Sequence, residues 1–131
     1  MIDPSIRQLL EEAIDSAIKL QLVLLFHENQ RLELDAQQAA NRTYRDIWAT
    51  REALHELQHD GILFVSGSAE NPCYHYRAQG DHHDRLDLLV RAFNEPIERD
   101  HIHHALRELA SDASYRRARR QMRGTFELQM I

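Results

Sequence analysis

The 131-residue sequence is long enough for one domain, and its 43% hydrophobic and 28% charged residues are typical of a compact globular protein rather than a disordered one. Only four Gly and three Pro exclude collagen-like and low-complexity classes, and the single cysteine, Cys73, excludes an internal disulfide and favours a reducing, cytoplasmic location. The formal net charge of -5 excludes a chain that is basic throughout, and the one basic block is residues 112–131, where five Arg and two acidic residues give +3.

The first 30 residues carry a helical pattern. Apolar residues recur at spacings of three and four from Ile6 to Ile18. Asp15 and Ser16 favour positions just before a helix, so they predict two helices, near 4–13 and 16–28, or one long helix with a bend. The second of these segments is apolar on most sides and is expected to lie centrally in the core. Its longest apolar run, residues 22–26, is far shorter than the roughly 20 residues of a membrane span, so no membrane association is expected.

A short strand and two further helices are predicted next. Residues 31–34 alternate in polarity, which is compatible with an edge strand. Asp35 and Gln38 have the spacing of a capping box and predict a helix from Asp35 to about Arg42. A second helix is predicted from about Arg45 to His59, ending where Gly61 can take the left-handed cap conformation. Its predicted buried stripe is Ile47, Thr50, Leu54 and Leu57.

The pattern then changes to that of strands. Residues 62–65 and 73–77 are rich in β-forming side chains, and the turn residues between them predict a hairpin. Helical spacing returns over residues 86–93 and 97–109, with a break at Asn94-Glu95-Pro96. The predicted fold class is therefore mostly α with a small β-hairpin.

Residues 16–78 resemble the winged helix-turn-helix family of DNA-binding transcriptional regulators. The stretch that carries the resemblance is Ala39-Ala40, Ile47, Thr50, Ala53-Leu54, Leu57 and Asp60-Gly61-Ile62-Leu63, followed by the hairpin that ends with Tyr74-His75-Tyr76. The resemblance implies a winged core at 16–78 with an N-terminal helix at 1–15. It leaves C-terminal helices at 79–111, which either dimerise or complete the core, and an Arg-rich tail at 112–131.

The resemblance also implies that the helix from Arg45 lies in the major groove of duplex DNA, with the wing on the backbone, and that the chain acts as a homodimer. The residues expected to contact DNA are Arg42, Thr43, Arg45, Trp48, Ala49 and Arg51, supported by Arg116, Arg117, Arg119 and Arg120 of the tail. Helical projection places Glu52 and Glu56 on the same face as these arginines, and the wing tip, residues 66–71, has no Lys or Arg. Both features predict low sequence-independent affinity.

Two alternatives stay open at this point. The same scaffold could bind another protein through the face that contains Trp48 and Glu52. Asp100, His104 and Glu108 have ligand spacing for a metal-responsive regulator, although a solvated helix face is the simpler explanation of this row, and no cofactor is expected. Catalysis is not expected either, because the sequence has no GxSxG and no glycine-rich phosphate loop.

Overall fold

The computed structural model describes residues 2–77 and 81–110 and confirms the predicted fold class. In these residues the helices are α1 (Pro4–Glu12), α2 (Ala17–Glu28), α3 (Ala36–Thr43), α4 (Ile47–His59), α5 (Asp81–Phe93) and α6 (Pro96–Ala110), and the strands are β1 (Glu33–Asp35), β2 (Leu63–Gly67) and β3 (Pro72–Tyr76). The predicted boundary between residues 78 and 79 falls outside the described residues.

The N-terminal segment forms two helices rather than one bent helix. Asp3 caps α1 by accepting a hydrogen bond from the backbone N–H of Ser5, and Pro4 occupies the first helical turn. The Ser16 hydroxyl accepts a hydrogen bond from the backbone N–H of Lys19 at 3.3 Å, which starts α2. As predicted, α2 lies in the core, where Leu20, Leu22, Val23 and Phe26 are buried.

Helix α3 starts with the predicted capping box. The Asp35 carboxylate accepts from the backbone N–H of Gln38 at 2.8 Å, and the Gln38 side chain accepts from the backbone N–H of Asp35 at 3.0 Å. Its small residues Ala39 and Ala40 are both buried, which allows close contact with neighbouring helices.

Helix α4 begins at Ile47, two residues later than predicted, because Asp46 is the N-cap and accepts from the backbone N–H of Ala49 at 3.0 Å. The helix ends at His59, and Gly61 has the predicted left-handed conformation at φ +82°. The backbone N–H of Ile62 donates to the Leu57 carbonyl at 3.0 Å, which closes a Schellman motif. Within the predicted stripe Thr50, Leu54 and Leu57 are buried, while Ile47 is only half-buried and Ala53 joins the core.

The three strands form one antiparallel sheet in the order β1-β3-β2. The predicted hairpin pairs β2 with β3, and β1 adds to the other edge of β3, with Leu34 opposite Tyr74. The strand near residues 31–34 is therefore confirmed at Glu33–Asp35, and the hairpin becomes a three-stranded sheet. Leu34, Leu63 and Tyr74 are buried against the helices.

The flanking helices pack on one another. Helix α1 contacts α5 and α6, and α5 also contacts α6. The buried side chains of these three helices are Ile6, Leu9, Leu10, Leu86, Leu89, Ile102, Ala105 and Leu106, and they belong to the same core as α2, α3 and α4. The apolar stripes outside the helix-turn-helix therefore largely complete the core of the chain itself.

Candidate nucleic-acid interface

Helices α3 and α4 are joined by a short turn, residues 44–46, that a side chain of α2 holds in place. The Gln21 amide nitrogen donates to the Thr43 carbonyl at 3.0 Å, and its oxygen accepts from Nε of Arg45 at 3.0 Å. One side chain thus fixes both the turn and the exposed Arg45 guanidinium at the start of α4. Sequence reasoning missed Gln21, because nothing local in the sequence links it to a turn more than 20 residues later.

Five of the residues predicted to contact DNA form one exposed surface around the start of α4, the recognition surface, and it consists of Arg42, Arg45, Trp48, Ala49 and Arg51. The Trp48 side chain is 70% exposed, and the Arg51 guanidinium lies 5.2 Å from the centre of its ring. This stacked pair and the arginines offer both cationic and aromatic contacts to a partner.

The prediction for Thr43 is wrong. Its side chain is buried, and its hydroxyl donates to the Ala39 carbonyl at 2.8 Å in the preceding turn of α3. A hydroxyl held in this way cannot reach a phosphate, so Thr43 stabilises the end of α3 instead.

The predicted orientation of Glu56 is also wrong. Its carboxylate turns inward and pairs with Lys19, the only lysine of the chain, which is buried and also bonds to the buried Asp15 at 3.0 Å. Glu56 therefore joins α4 to α2. Of the two acidic residues placed on the recognition surface by projection, only Glu52 is exposed there.

One residue of this turn has an unusual backbone conformation. Tyr44 has left-handed backbone angles, φ 55° and ψ 41°, and its side chain is 94% exposed. This conformation ends α3 as a left-handed cap, with the Tyr44 backbone N–H donating to the Ala40 carbonyl, and it is less favourable for tyrosine than for glycine. Tyr44 and Trp48 are thus two exposed aromatic side chains near the start of α4.

The β2–β3 hairpin lies next to α4 and has few cations. In its turn Gly67 has φ +84°, and a β-carbon there would lie 3.1 Å from the Asn71 carbonyl oxygen, so this position requires glycine. Phe64 and Val65 of β2 are half exposed, and the Arg77 guanidinium lies 5.9 Å from the centre of the Phe64 ring. Sequence reasoning did not single out Phe64 or Arg77.

Comparison with solved structures shows which fold this arrangement represents. The chain is similar to reduced HlyU from Vibrio cholerae N16961, at 19% identity and a TM-score of 0.52, over 67% of this chain and 88% of that one. It is also similar to a possible transcriptional regulator from Methanosarcina mazei Go1, at 13% identity and a TM-score of 0.51, over 77% of this chain and 85% of that one. The chain has a winged helix-turn-helix fold. No family model and no curated protein matches the sequence.

In this winged helix, α2, α3 and α4 form the three-helix core, α4 occupies the position of the recognition helix, and the β2–β3 hairpin is the wing. A groove of about 690 Å³ separates α4 from the wing. Trp48, Arg51 and Glu52 line it on the helix side, and Glu70 and Tyr74 line it on the wing side. Burial raises the pKa of Tyr74, and the positive charge of Arg51 opposes part of this shift, so the Tyr74 hydroxyl is protonated at neutral pH.

The remaining predicted sites lie away from the recognition surface. Asp100, His104 and Glu108 are on α6, where His104 Nε2 lies 3.1 Å from Glu108 Oε1 as a surface pair. Within residues 2–77 and 81–110, no three His, Cys, Asp or Glu side chains are grouped closely enough to hold a metal ion. Arg116, Arg117, Arg119 and Arg120 lie outside the described residues. None of the described helices is long and apolar enough to cross a membrane.

Proposed function

We propose that this protein is a cytoplasmic, non-catalytic transcriptional regulator that binds duplex DNA. The observation that carries the proposal is the N-terminal half of α4 in a winged helix-turn-helix fold. This half-helix faces solvent and carries the exposed Arg51, and Arg42 and Arg45 are exposed just before it. Residues near the start of a recognition helix are those that contact base edges in the major groove. The structural similarity to a possible transcriptional regulator supports the same function.

Each residue of the recognition surface has a chemically suitable role. Arg42 and Arg45 suit phosphate or the O6 and N7 atoms of guanine, and the Gln21 contact reduces the conformational freedom that Arg45 loses on binding. Ala49 and Trp48 suit apolar contact with a thymine methyl group or a sugar. The tail arginines, Arg116, Arg117, Arg119 and Arg120, add phosphate contacts that the acidic domain lacks.

A salt titration with matched arginine variants tests the proposal. Binding to a random 20-base-pair duplex would be measured by fluorescence anisotropy for the full-length wild type, Arg45→Gln and the control Arg107→Gln, which changes an exposed arginine on α6. We expect wild-type affinity to fall as salt rises, and Arg45→Gln to lower the slope of log K against log salt by about 1. An Arg45→Gln slope equal to that of the wild type and the control would contradict the proposed interface.

We further propose that the regulator acts as a homodimer, because two-fold DNA sites require two copies of the recognition helix. The supporting observation is that the core formed by α1, α5 and α6 leaves apolar side chains exposed. Ile97 at the start of α6 is 72% exposed, and Leu88 of α5 is 36% exposed. Sedimentation of wild type and Ile97→Asp is the test, and a wild type that sediments as a monomer at micromolar concentration would contradict the dimer.

A second candidate function has its own supporting observation. The exposed aromatic rings of Tyr44 and Trp48 lie among acidic residues, Asp46 and Glu52, which suits a protein partner better than a phosphate backbone. Negligible binding of the wild type to duplex DNA even at low salt would favour this interaction module over the regulator.

A further inference from the structure

Two histidines from different helices lie side by side where β3 and α2 meet α5. His27 is near the end of α2 and His83 is in the first turn of α5, and their nearly parallel rings have centres 6.5 Å apart. The ring of Tyr76, from β3, lies edge-on to both, at 5.6 Å from His27 and 6.3 Å from His83. These three residues and Asp87 of α5 form the histidine cluster. None of them belongs to the recognition surface.

Two polar contacts connect the members of the histidine cluster. The Tyr76 hydroxyl lies 3.1 Å from Nδ1 of His83, and Tyr76 is only 6% exposed. Nε2 of His27 lies 3.4 Å from Oδ1 of Asp87, but this buried nitrogen makes no hydrogen bond to any residue that the structure describes. A buried polar atom normally has a partner. Protonation of His27 would supply one, because an imidazolium attracts the carboxylate beside it.

The groups around the two imidazoles provide little compensation for positive charge. Asp87 also pairs with the exposed Arg91 at 3.1 Å, so its negative charge is already shared. Burial and the charge of Asp87 raise the pKa of Tyr76, so its hydroxyl keeps its proton. His75 of β3 packs on Phe64, at the opposite face of the sheet. Helices α1 and α6 also pack on α5, and they carry ion pairs within themselves: Arg7–Glu11 on α1, and Glu98–His101 and His104–Glu108 on α6.

This arrangement accommodates one proton better than two. A first proton on His27 faces Asp87. A second proton on His83 would place two positive charges on rings whose centres are 6.5 Å apart. A protonated Nδ1 also can no longer accept from the Tyr76 hydroxyl, which would then lose its acceptor in a buried position. Histidine is the side chain that ordinarily changes its charge between pH 5 and 8, so mild acid is enough to supply both protons.

We propose that the histidine cluster is a pH-sensitive contact that holds the N-terminal half of α5 on α2 and β3 at neutral pH and loosens it in mild acid. The released segment can carry both protons and the docked one carries a single proton, so a fall in pH favours release. A histidine that binds its proton only in the released state raises the opening constant about tenfold between pH 7.5 and 5.5. Because α5 belongs to the helices proposed to pair two copies, release would also weaken binding to two-fold DNA sites. Only this last consequence rests on the proposed function.

Hydrogen exchange of the full-length protein, followed by mass spectrometry, tests the proposal without DNA. Protection of the N-terminal half of α5 would be measured at about pH 7.5 and 5.5 and corrected for the intrinsic pH dependence of exchange. Helix α3 is the internal reference for global unfolding. The proteins are the wild type, His83→Gln, Asp87→Asn and the control His104→Gln, which changes an exposed histidine of α6.

In the wild type and the control, we expect acid to lower α5 protection about tenfold more than α3 protection. In His83→Gln the difference should be about twofold or less, because one imidazole remains beside Asp87 and the glutamine oxygen can accept from Tyr76. Asp87→Asn should lose more α5 protection than the wild type, since the first proton is then uncompensated as well.

Three outcomes would overturn the proposal. Unchanged α5 protection in acid would mean that the contact does not respond to pH. An equal loss in His83→Gln and the wild type would mean that other groups cause the response. A parallel loss in α3 and α5 would mean that the whole domain unfolds rather than one contact. A protein that does not bind DNA would give the same exchange results, so this proposal and the proposed function can fail separately.

Discussion

Replacing Tyr44 with glycine should stabilise the fold and weaken DNA binding at the same time. Tyr44 has φ 55°, a conformation that costs an L-residue about 1–2 kcal/mol and glycine almost nothing. Glycine in turn loses more backbone entropy on folding, by about 0.5–1 kcal/mol. The Tyr44 side chain is 94% exposed and therefore contributes little buried area that the substitution could remove.

The difference between these terms is a gain of about 0.5–1 kcal/mol in the free energy of unfolding. For a domain of this length the gain corresponds to a rise in melting temperature of roughly 2–4 °C. Tyr44→Ala is the matched control, since it removes the same ring and keeps the strain. Its stability should be close to that of the wild type.

Urea unfolding of the three proteins, followed by circular dichroism, separates strain from the loss of the ring. Tyr44→Gly should have the highest midpoint, with an unchanged m-value. Duplex binding should weaken by the same factor in both variants if the exposed ring contacts DNA. A Tyr44→Gly protein no more stable than Tyr44→Ala would refute the strain argument.

Three further predictions follow from individual side chains. Lys19→Met should lower the free energy of unfolding, measured in urea, by about 3 kcal/mol, because the carboxylates of Asp15 and Glu56 lose the cation that pairs with them and Asp15 is fully buried. A decrease below 1 kcal/mol would contradict the buried ion-pair network. Burial, and to a lesser degree the negative charge of Asp87, raises the pKa of Tyr76 in the folded protein above its ordinary value of 10. The protonated Tyr76 side chain therefore contributes its full stabilisation below pH 10, and this contribution is lost as pH rises through the higher pKa of the folded state. The unfolding free energy of Tyr76→Phe should therefore fall less steeply than that of wild type between pH 10 and 11. Thr43→Val should lower the free energy of unfolding by about 1 kcal/mol, because the hydroxyl donates to α3 carbonyls. It should leave the slope of log K against log salt for DNA binding unchanged, and a reduced slope would show that Thr43 contacts DNA.

Elements set by local chemistry could be predicted from the sequence. Ser16 starts α2, Asp35 and Gln38 form the capping box of α3, and Gly61 ends α4, each through hydrogen bonds within five residues. These features, followed by a β-rich hairpin, were enough to identify the winged helix. The recognition surface was also largely predictable, because exposed residues of an amphipathic helix follow from its period.

Three features of the site could not be predicted from the helical period. Projection placed Glu56 outward, but Lys19, 37 positions earlier in the chain, turns it inward. Thr43 was expected to face DNA, but the end of α3 takes its hydroxyl. The start of α4 was misplaced by two residues because either Arg45 or Asp46 could begin a helix, and only the structure shows that Asp46 caps it. In each case the deciding partner lies outside the pattern that a helical period can reveal.

Two polar contacts made by α2 add to the apolar packing that orients α4 on the core. Near the start of α2, Lys19 holds Glu56 in the C-terminal half of α4, and Gln21 holds the turn before its N-terminus. A recognition helix held at both ends presents its exposed residues in a fixed geometry, which lowers the entropy lost when a groove is entered. Loosening one end should therefore affect binding and stability differently. Gln21→Ala removes only half-buried hydrogen bonds at the DNA-facing end and should weaken duplex affinity severalfold while lowering the free energy of unfolding by about 1 kcal/mol. Equal affinity of Gln21→Ala and wild type would show that Arg45 does not need to be fixed before it binds.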